Sequence, residues 1–247
     1  MKKQNSFLAI IPTTIVCLCA IQAVRAGGPS SVASGGTASV RGTVKIGGNV
    51  PKAKPINMSA DPSCAKQHSG PVFSQDIVAD SKGDLENVIV FVSEGLGDRH
   101  FDPPAEPAVI EQKGCLYRPH VLAMRVNQPL EVVNDDPTVH NIHPLPANNR
   151  EWNRAELPGV KVDESFAREE VAIPVKCNVH PWMRGYVAVF KHPFFVVTGK
   201  DGSFDLSNLP PGSYTITAWH EKLGTAAQKV TVTGNETKSI DFTFEAM

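Results

Sequence analysis

Apolar residues at every second position are the feature that most limits what this chain can fold into. They form short runs, such as Tyr214, Ile216 and Ala218, and glycine, proline or asparagine interrupts each run. Short alternating runs of this kind are typical of strands with one buried face. No long segment has the 3.6-residue period of an amphipathic helix. The sequence therefore predicts an all-β protein built from sandwiches.

The N-terminal residues have the pattern of a secretory signal peptide, predicted over residues 1–26. Lys2 and Lys3 precede an apolar stretch, and Val24 and Ala26 form a small-x-small pattern before Gly27. Polar residues interrupt the stretch, which makes a permanent membrane span less favoured. We expect a periplasmic or otherwise exported product with no membrane span in the mature chain. Residues 27–37 are small and polar, which predicts a flexible leader.

Charge gives no reason to expect nucleic acid or anionic lipid as a partner. The chain has 24 basic and 25 acidic side chains, and removal of the signal peptide takes away three basic ones. The resulting mild acidic excess is spread along the chain without a basic run.

The number of cysteines predicts one disulfide and one free thiol with a different role. Five cysteines occur, and two of them lie within the predicted signal peptide. The remaining three are Cys64, Cys115 and Cys177. An odd number in an oxidising compartment leaves one cysteine unpaired.

A short motif brings three potential metal ligands together. Cys177, His180 and Met183 follow one another with the spacing C-x2-H-x2-M, so one loop can direct all three donors to a single point. His140 follows a predicted strand and could supply a second imidazole. Two imidazoles, one thiolate and a long axial thioether form the blue-copper donor set. Zinc is the less favoured metal because methionine is a poor zinc ligand and only one thiolate is present.

These residues and their flanks resemble the cupredoxin family, and within it amicyanin. Pro181 and Trp182 stand between the histidine and the methionine as in amicyanin, Arg184-Gly185 and a valine-rich strand follow, and His140-Asn141-Ile142-His143 matches the upstream ligand segment. The resemblance implies a Greek-key β-sandwich over residues 105–192. It also implies one type 1 copper bound by His140, Cys177, His180 and Met183.

The same resemblance implies roles around the ligands. Asn141 and Asn178 are expected to brace the ligand loop, with ordinary turn formation as the alternative for Asn141. Pro181 and Trp182 are expected to form an apolar docking surface around an exposed edge of His180, unless Trp182 packs between domains. The implied partners are transient redox proteins, such as a dehydrogenase donor and a c-type cytochrome acceptor.

A second resemblance covers the rest of the chain. Residues 195–244, with Asp201-Gly202 and Pro210-Pro211-Gly212 at turns, resemble the carboxypeptidase regulatory-like (transthyretin-like) β-sandwich. The stretches 42–51 and 88–92 fit the first strands of that family. We therefore expect residues 38–104 and 193–247 to form one sandwich with the cupredoxin domain inserted between its parts. Tandem domains are the alternative.

Cys64 and Cys115 are predicted to form a disulfide between these modules, because export favours oxidation. A second metal site from Cys64, His68, Cys115 and His120 is the alternative. The sequence as a whole predicts a single-electron carrier and not an enzyme. A copper-binding or delivery protein without redox cycling, a cell-envelope binding module, and a copper enzyme with an additional metal remain alternatives.

Overall fold

The structure, a computed structural model, describes residues 36–246, and strands dominate it. The predicted signal peptide and most of the predicted leader lie outside the described residues. The elements are β1 (Ala38–Gly47), α1 (Pro62–Ala65), β2 (Ile89–Glu94), β3 (Ala108–Gln112), β4 (Tyr117–Arg118), β5 (Val121–Arg125), β6 (Leu130–Asn134), β7 (His140–Pro144), β8 (Arg154–Glu156), β9 (Lys161–Glu164), β10 (Glu170–Lys176), β11 (Arg184–Phe190), β12 (Phe195–Val197), β13 (Ser203–Leu209), β14 (Gly212–His220), β15 (Gly224–Val232), β16 (Thr237–Ser239) and β17 (Phe242–Glu245). The predicted all-β class is confirmed.

The first and last strands of the chain share one core. β1 pairs antiparallel with β13 and parallel with β16 and β17, and a second sheet has the order β12-β2-β14-β15. Alternate residues of β1, among them Val40 and Val44, are buried against alternate residues of β14, among them Tyr214 and Ile216. The period of two in the sequence therefore corresponds to one buried face of each sheet.

Strand β2 is apolar at consecutive positions because both of its faces are covered. Val90 and Val92 point into the core shared with β1 and β14. Ile89 and Phe91 point the other way, where they meet Ala188 and Phe190 of β11. Successive side chains of a strand face opposite sides, so a strand between two packed layers needs an uninterrupted apolar run.

The second sandwich holds the middle of the chain. One sheet has the order β5-β11-β10-β7-β8 and the other has the order β4-β3-β6-β9. Its core is a separate cluster that includes Ile110, Leu130, Val132, Ile142 and Val187. β11 serves both clusters, since Val187 and Val189 face this core while Ala188 and Phe190 face β2.

One segment differs from the predicted division of the chain. Residues 38–104 were assigned to the first sandwich, yet Met58 and Cys64 are buried in the second core, with Ile56 and Val72 packed against it. The segment contains α1, whose first turn is capped by the side chain of Asp61. Its disulfide to Cys115 and its apolar side chains hold it on the second sandwich, which local strand patterning does not reveal.

Within residues 36–246, no helix has the length and apolar character needed to cross a bilayer.

Candidate metal centre

The loop between β10 and β11 brings its three donor residues close together through backbone hydrogen bonds. The amide of Cys177 donates to the carbonyl of Met183 (3.1 Å), and the amide of Met183 donates to the carbonyl of His180 (2.9 Å). The amide of His180 lies 3.4 Å from the Cys177 sulfur and donates to it. Because β10 and β11 pair antiparallel up to Lys176 and Arg184, the loop is anchored at both ends.

His140 reaches the same point from a neighbouring strand. It is the first residue of β7, which pairs with β10. Nδ1 of His140 lies 2.9 Å from Nδ1 of His180. Nδ1 of His180 in turn lies 3.8 Å from the Cys177 sulfur. Donor atoms of these three residues all lie within 4.8 Å of one another, and the residues are at most 3% exposed. A single ion about 2 Å from each nitrogen can bridge such separations.

Met183 is fully buried at the end of the ligand loop and belongs to the second core. Its backbone is bonded to both Cys177 and His180. The fourth predicted ligand therefore lies in the same tight loop as two of the others. Its role as the axial ligand stays a prediction.

Asn141 braces the ligand loop through its side-chain oxygen. That oxygen accepts a hydrogen bond from the amide of Asn178 (2.6 Å) and lies 3.4 Å from the Cys177 sulfur, while its Nδ2 donates to Asn153 (2.7 Å). The side-chain oxygen of Asn178 lies 3.3 Å from Nδ1 of His143. Asn141 thus ties β7 to the loop, whereas Asn178 takes part through its backbone.

Neighbouring groups shift the pKa values of two of the donor residues, His140 and Cys177. Burial by itself lowers the pKa of His140, but contacts with Asp136 and Cys177 outweigh it and raise the pKa to about 9. Burial likewise raises the pKa of the Cys177 thiol, but hydrogen bonds from His140 and backbone amides outweigh it and lower the pKa to about 6. The lowered pKa favours the thiolate of Cys177, which is the form of cysteine that binds metals. A metal that takes this place must displace the His140 proton.

The prediction of an exposed His180 edge is wrong. His180 is 2% exposed, and its Nε2 lies 2.9 Å from Asp61 and 3.6 Å from the sulfur of Cys64. The segment that carries α1 folds over the imidazole. The residue pattern around the ligand motif does not predict this cover, because the segment comes from a distant part of the chain. Any partner must therefore meet the centre through other groups.

Pro181 and Trp182 lie beside this covered imidazole. Pro181 is exposed, and Trp182 is half-buried with its ring centroid 5.1 Å from that of His180. The indole nitrogen donates to the carbonyl of Cys115 (3.2 Å), and the ring packs against the second core. Trp182 is therefore held in the sandwich that contains the centre.

Cys64 and Cys115 form the predicted disulfide, with 5.5 Å between their Cα atoms, but both lie in the second core, so the bond does not join the two sandwiches as expected. Both sulfurs are consequently unavailable as thiolates, which removes them from the alternative second metal site. Its two histidines have other partners, since His68 contacts the carbonyl of Gly114 (2.8 Å) and His120 contacts Glu221 and the carbonyl of Arg184.

The structure adds two buried carboxylates, those of Glu156 and Glu221, that no sequence pattern indicated. Glu156 stands directly opposite His140 in the β7–β8 pair, is fully buried, and contacts Gln112 at 2.7 Å. Burial raises the pKa of its carboxyl group to about 7. His120 and Glu221 form a buried pair between β4–β5 and the β14–β15 turn. An isolated Glu residue carries no spacing signal, so only the assembled fold reveals Glu156 and Glu221.

Comparisons with known proteins found both resemblances. Residues 187–245 match the carboxypeptidase regulatory-like domain. Similar solved structures include a purple cupredoxin from Nitrosopumilus maritimus, with 26% identity over 33% of this chain and 98% of that chain at a TM-score of 0.29. They also include a mutant of amicyanin in its oxidized form, with 16% identity over 47% of this chain and 93% of that chain at a TM-score of 0.30.

A Cu-containing nitrite reductase from Thermus scotoductus SA-01 is also similar, with 19% identity over 39% of this chain at a TM-score of 0.33. The chain spans 25% of the length of that enzyme. No curated protein matches this sequence. Both inferred families, the carboxypeptidase regulatory-like domain and the cupredoxins, are thus among those that the comparisons return.

Proposed function

We propose that this chain is an exported type 1 copper protein that carries single electrons. The observation that carries the proposal is the convergence of one thiolate and two imidazole nitrogens, all buried, with donor atoms within 4.8 Å. Thiolate favours Cu(I), and imidazole suits Cu(II), so this donor set can bind copper in both states. His140, Cys177, His180 and Met183 would hold the copper, which would supply a one-electron couple.

The protein's own contribution is a rigid and dry surrounding. The ligand loop is closed by its backbone hydrogen bonds, and Asn141 ties it to β7. Tyr117, fully buried, donates its hydroxyl proton to the carbonyl of Asn141 (2.6 Å) and so fixes the strand that carries His140. Ligands held in this way move little between oxidation states, which favours fast electron transfer.

Docking is proposed at Pro181 and Trp182. Pro181 is exposed, and the half-buried Trp182 ring packs 5.1 Å, between ring centroids, from the covered imidazole of His180. A c-type cytochrome or a dehydrogenase that docks there would exchange electrons through the indole ring and not through a bare imidazole edge. Export to the periplasm and insertion of residues 105–192 between the two parts of the regulatory-like sandwich belong to the same proposal.

A copper-binding or delivery protein without redox cycling is the second candidate. The covering of His180 by Asp61 and Cys64 favours it, because a buried ligand edge hinders direct contact with a redox partner. Cyclic voltammetry separates the two functions. A carrier shows a reversible couple with fast self-exchange, whereas a storage or delivery protein does not.

Copper loading of the purified metal-free protein tests the main proposal. We expect one copper per chain and an intense blue colour in the Cu(II) form. Cys177→Ser should lose the colour while it stays folded by circular dichroism. His100→Ala is the matched control, since this histidine is exposed and pairs only with Asp102, and it should stay blue.

A colourless Cu(II) form of the wild type would refute the proposal. Metal stoichiometry tests the enzyme alternative in the same samples. An additional catalytic metal at His68, His120 or His143 would give two coppers per chain. Substitution by alanine of the histidine that binds this second copper would then reduce the stoichiometry to one.

A further inference from the structure

Both imidazoles of the candidate centre have a carboxylate on the nitrogen that points away from it. Nε2 of His140 lies 2.8 Å from Oδ2 of Asp136, and Nε2 of His180 lies 2.9 Å from Oδ2 of Asp61. An imidazole that donates its Nε2–H to a carboxylate directs Nδ1 to the opposite side. The two Nδ1 atoms indeed face each other at 2.9 Å.

The carboxylate of Asp136 is held by a built backbone site. Its side chain is fully buried, and it accepts hydrogen bonds from the amides of Gly114 (2.6 Å) and Cys115 (2.7 Å). The amide of Asp136 in turn donates to the side chain of Asn134 (3.0 Å). These contacts leave Asp136 one orientation, with Oδ2 directed at His140.

The carboxylate of Asp61 arrives from a distant part of the chain, 119 residues before His180. Its Oδ1 caps α1 by accepting from the amide (2.8 Å) and hydroxyl (2.7 Å) of Ser63. Its Oδ2 accepts from Thr138 (3.2 Å) and from His180. One oxygen is thus committed to the helix and the other to the ligand.

The Cys64–Cys115 disulfide links the two carboxylate sites. Cys64 lies in the helix that Asp61 caps, and Cys115 supplies one of the amides that hold Asp136. The sulfur of Cys64 is itself 3.6 Å from Nε2 of His180. The cross-link therefore fixes the α1 segment, with Asp61, against the turn that positions Asp136.

We propose that Asp61 and Asp136 are positioning residues that orient the two imidazoles for metal binding. Each carboxylate fixes the ring rotation and the Nε2–H tautomer of one histidine, so that both Nδ1 lone pairs point to one ion. The disulfide keeps the two carboxylates in place together. This inference rests on the proposed metal centre and goes beyond it, because neither residue belongs to the ligand motif. Loss of such a partner typically weakens metal binding about 10–100-fold.

Asp61→Asn is the principal test, because the asparagine keeps the helix cap while it loses the negative charge toward His180. Asp136→Asn is the companion variant. Asp102→Asn is the matched control, since Asp102 also contacts a histidine, His100 at 3.1 Å, but both side chains are exposed. Competition titrations with a chromophoric chelator measure the affinities for Cu²⁺ and, separately, for Zn²⁺.

We expect Asp61→Asn and Asp136→Asn each to lower both affinities about 10–100-fold, while the control stays within about twofold of wild type. The reduction potential of the copper form should rise in both variants, because a nearby negative charge stabilises Cu(II) over Cu(I). Nitrogen NMR of the metal-free protein gives a readout that needs no metal. The Nε2 resonance of His180 should lose its strong hydrogen-bond signature in Asp61→Asn alone.

Unchanged affinities together with an unchanged His180 resonance in Asp61→Asn would overturn the inference, even if the wild type is blue. A wild type without blue copper, but with the His180 change in Asp61→Asn and the loss of zinc affinity, would refute the proposed function and still support the positioning role. Should Asp136→Asn fail to fold, the Asp61 variant decides the matter alone.

Discussion

Removal of the Cys64–Cys115 disulfide should cost the metal-free protein about 4 kcal/mol of stability. The bond closes a loop between residues 51 positions apart, and a cross-link of that length removes the corresponding freedom from the unfolded chain. Both cysteines are fully buried, so the double variant Cys64→Ala/Cys115→Ala is preferable to serine, which would bury unpartnered hydroxyls.

Urea denaturation at pH 7 measures the effect. Trp152 and Trp182 pack in or against the second core and report its unfolding by fluorescence. The midpoint should fall strongly, and reduction of the wild type with a dithiol should move it in the same direction. Cys177→Ala in the metal-free protein is the control, because it removes a buried cysteine and leaves the cross-link intact. A loss below about 1 kcal/mol in the double variant would show that the cross-link does not constrain the unfolded chain as argued.

Three further perturbations test the buried groups and the close packing. Burial raises the pKa of Glu156 from 4.5 to about 7, so the free energy of unfolding should fall by about 3 kcal/mol as the pH rises through that window. Glu156→Gln should remove this dependence. If urea denaturation gave the same pH dependence of stability for the wild type and the variant, the role of Glu156 would be contradicted. Burial by itself raises the pKa of Glu170, but hydrogen bonds from the Asn149 side chain and from the backbone amides of residues 147–149 outweigh it and lower the pKa. Glu170→Gln should therefore cost about 1–3 kcal/mol of stability and speed amide exchange in that loop. The wild-type benefit should be lost as the pH falls below the ordinary glutamate range, and unchanged exchange would refute the role. A Cβ on Gly42 would overlap the backbone carbonyl oxygen of Ile240, so Gly42→Ala should lower the melting temperature sharply. Gly47→Ala in the same strand should not, because its Cβ would meet only side chains, the flexible end of Glu245 and, at an ordinary contact distance, the methyl group of Thr243.

Much of the fold follows from local patterns. Alternation predicted the all-β class because each strand of a sandwich buries one face, and the uninterrupted apolar run of β2 reflects its two covered faces. The limit of local patterns appears in the α1 segment. Its placement on the second core depends on a few apolar contacts and a disulfide with a residue far along the chain, and neither follows a strand period.

The candidate ligands likewise divide into those that local sequence motifs predict and surrounding groups that only the packing of the fold brings to them. The spacing of Cys177, His180 and Met183 is a local property of one segment, so the sequence alone determined that these residues share one short loop. His140 was found because it stands in a second recognisable motif. Only the tertiary structure decided that Asp61 and Asp136 hold the imidazoles and that the edge of His180 is covered. Aspartates are common on protein surfaces, and a contact across more than a hundred residues depends on how the layers pack, which no spacing along the chain encodes.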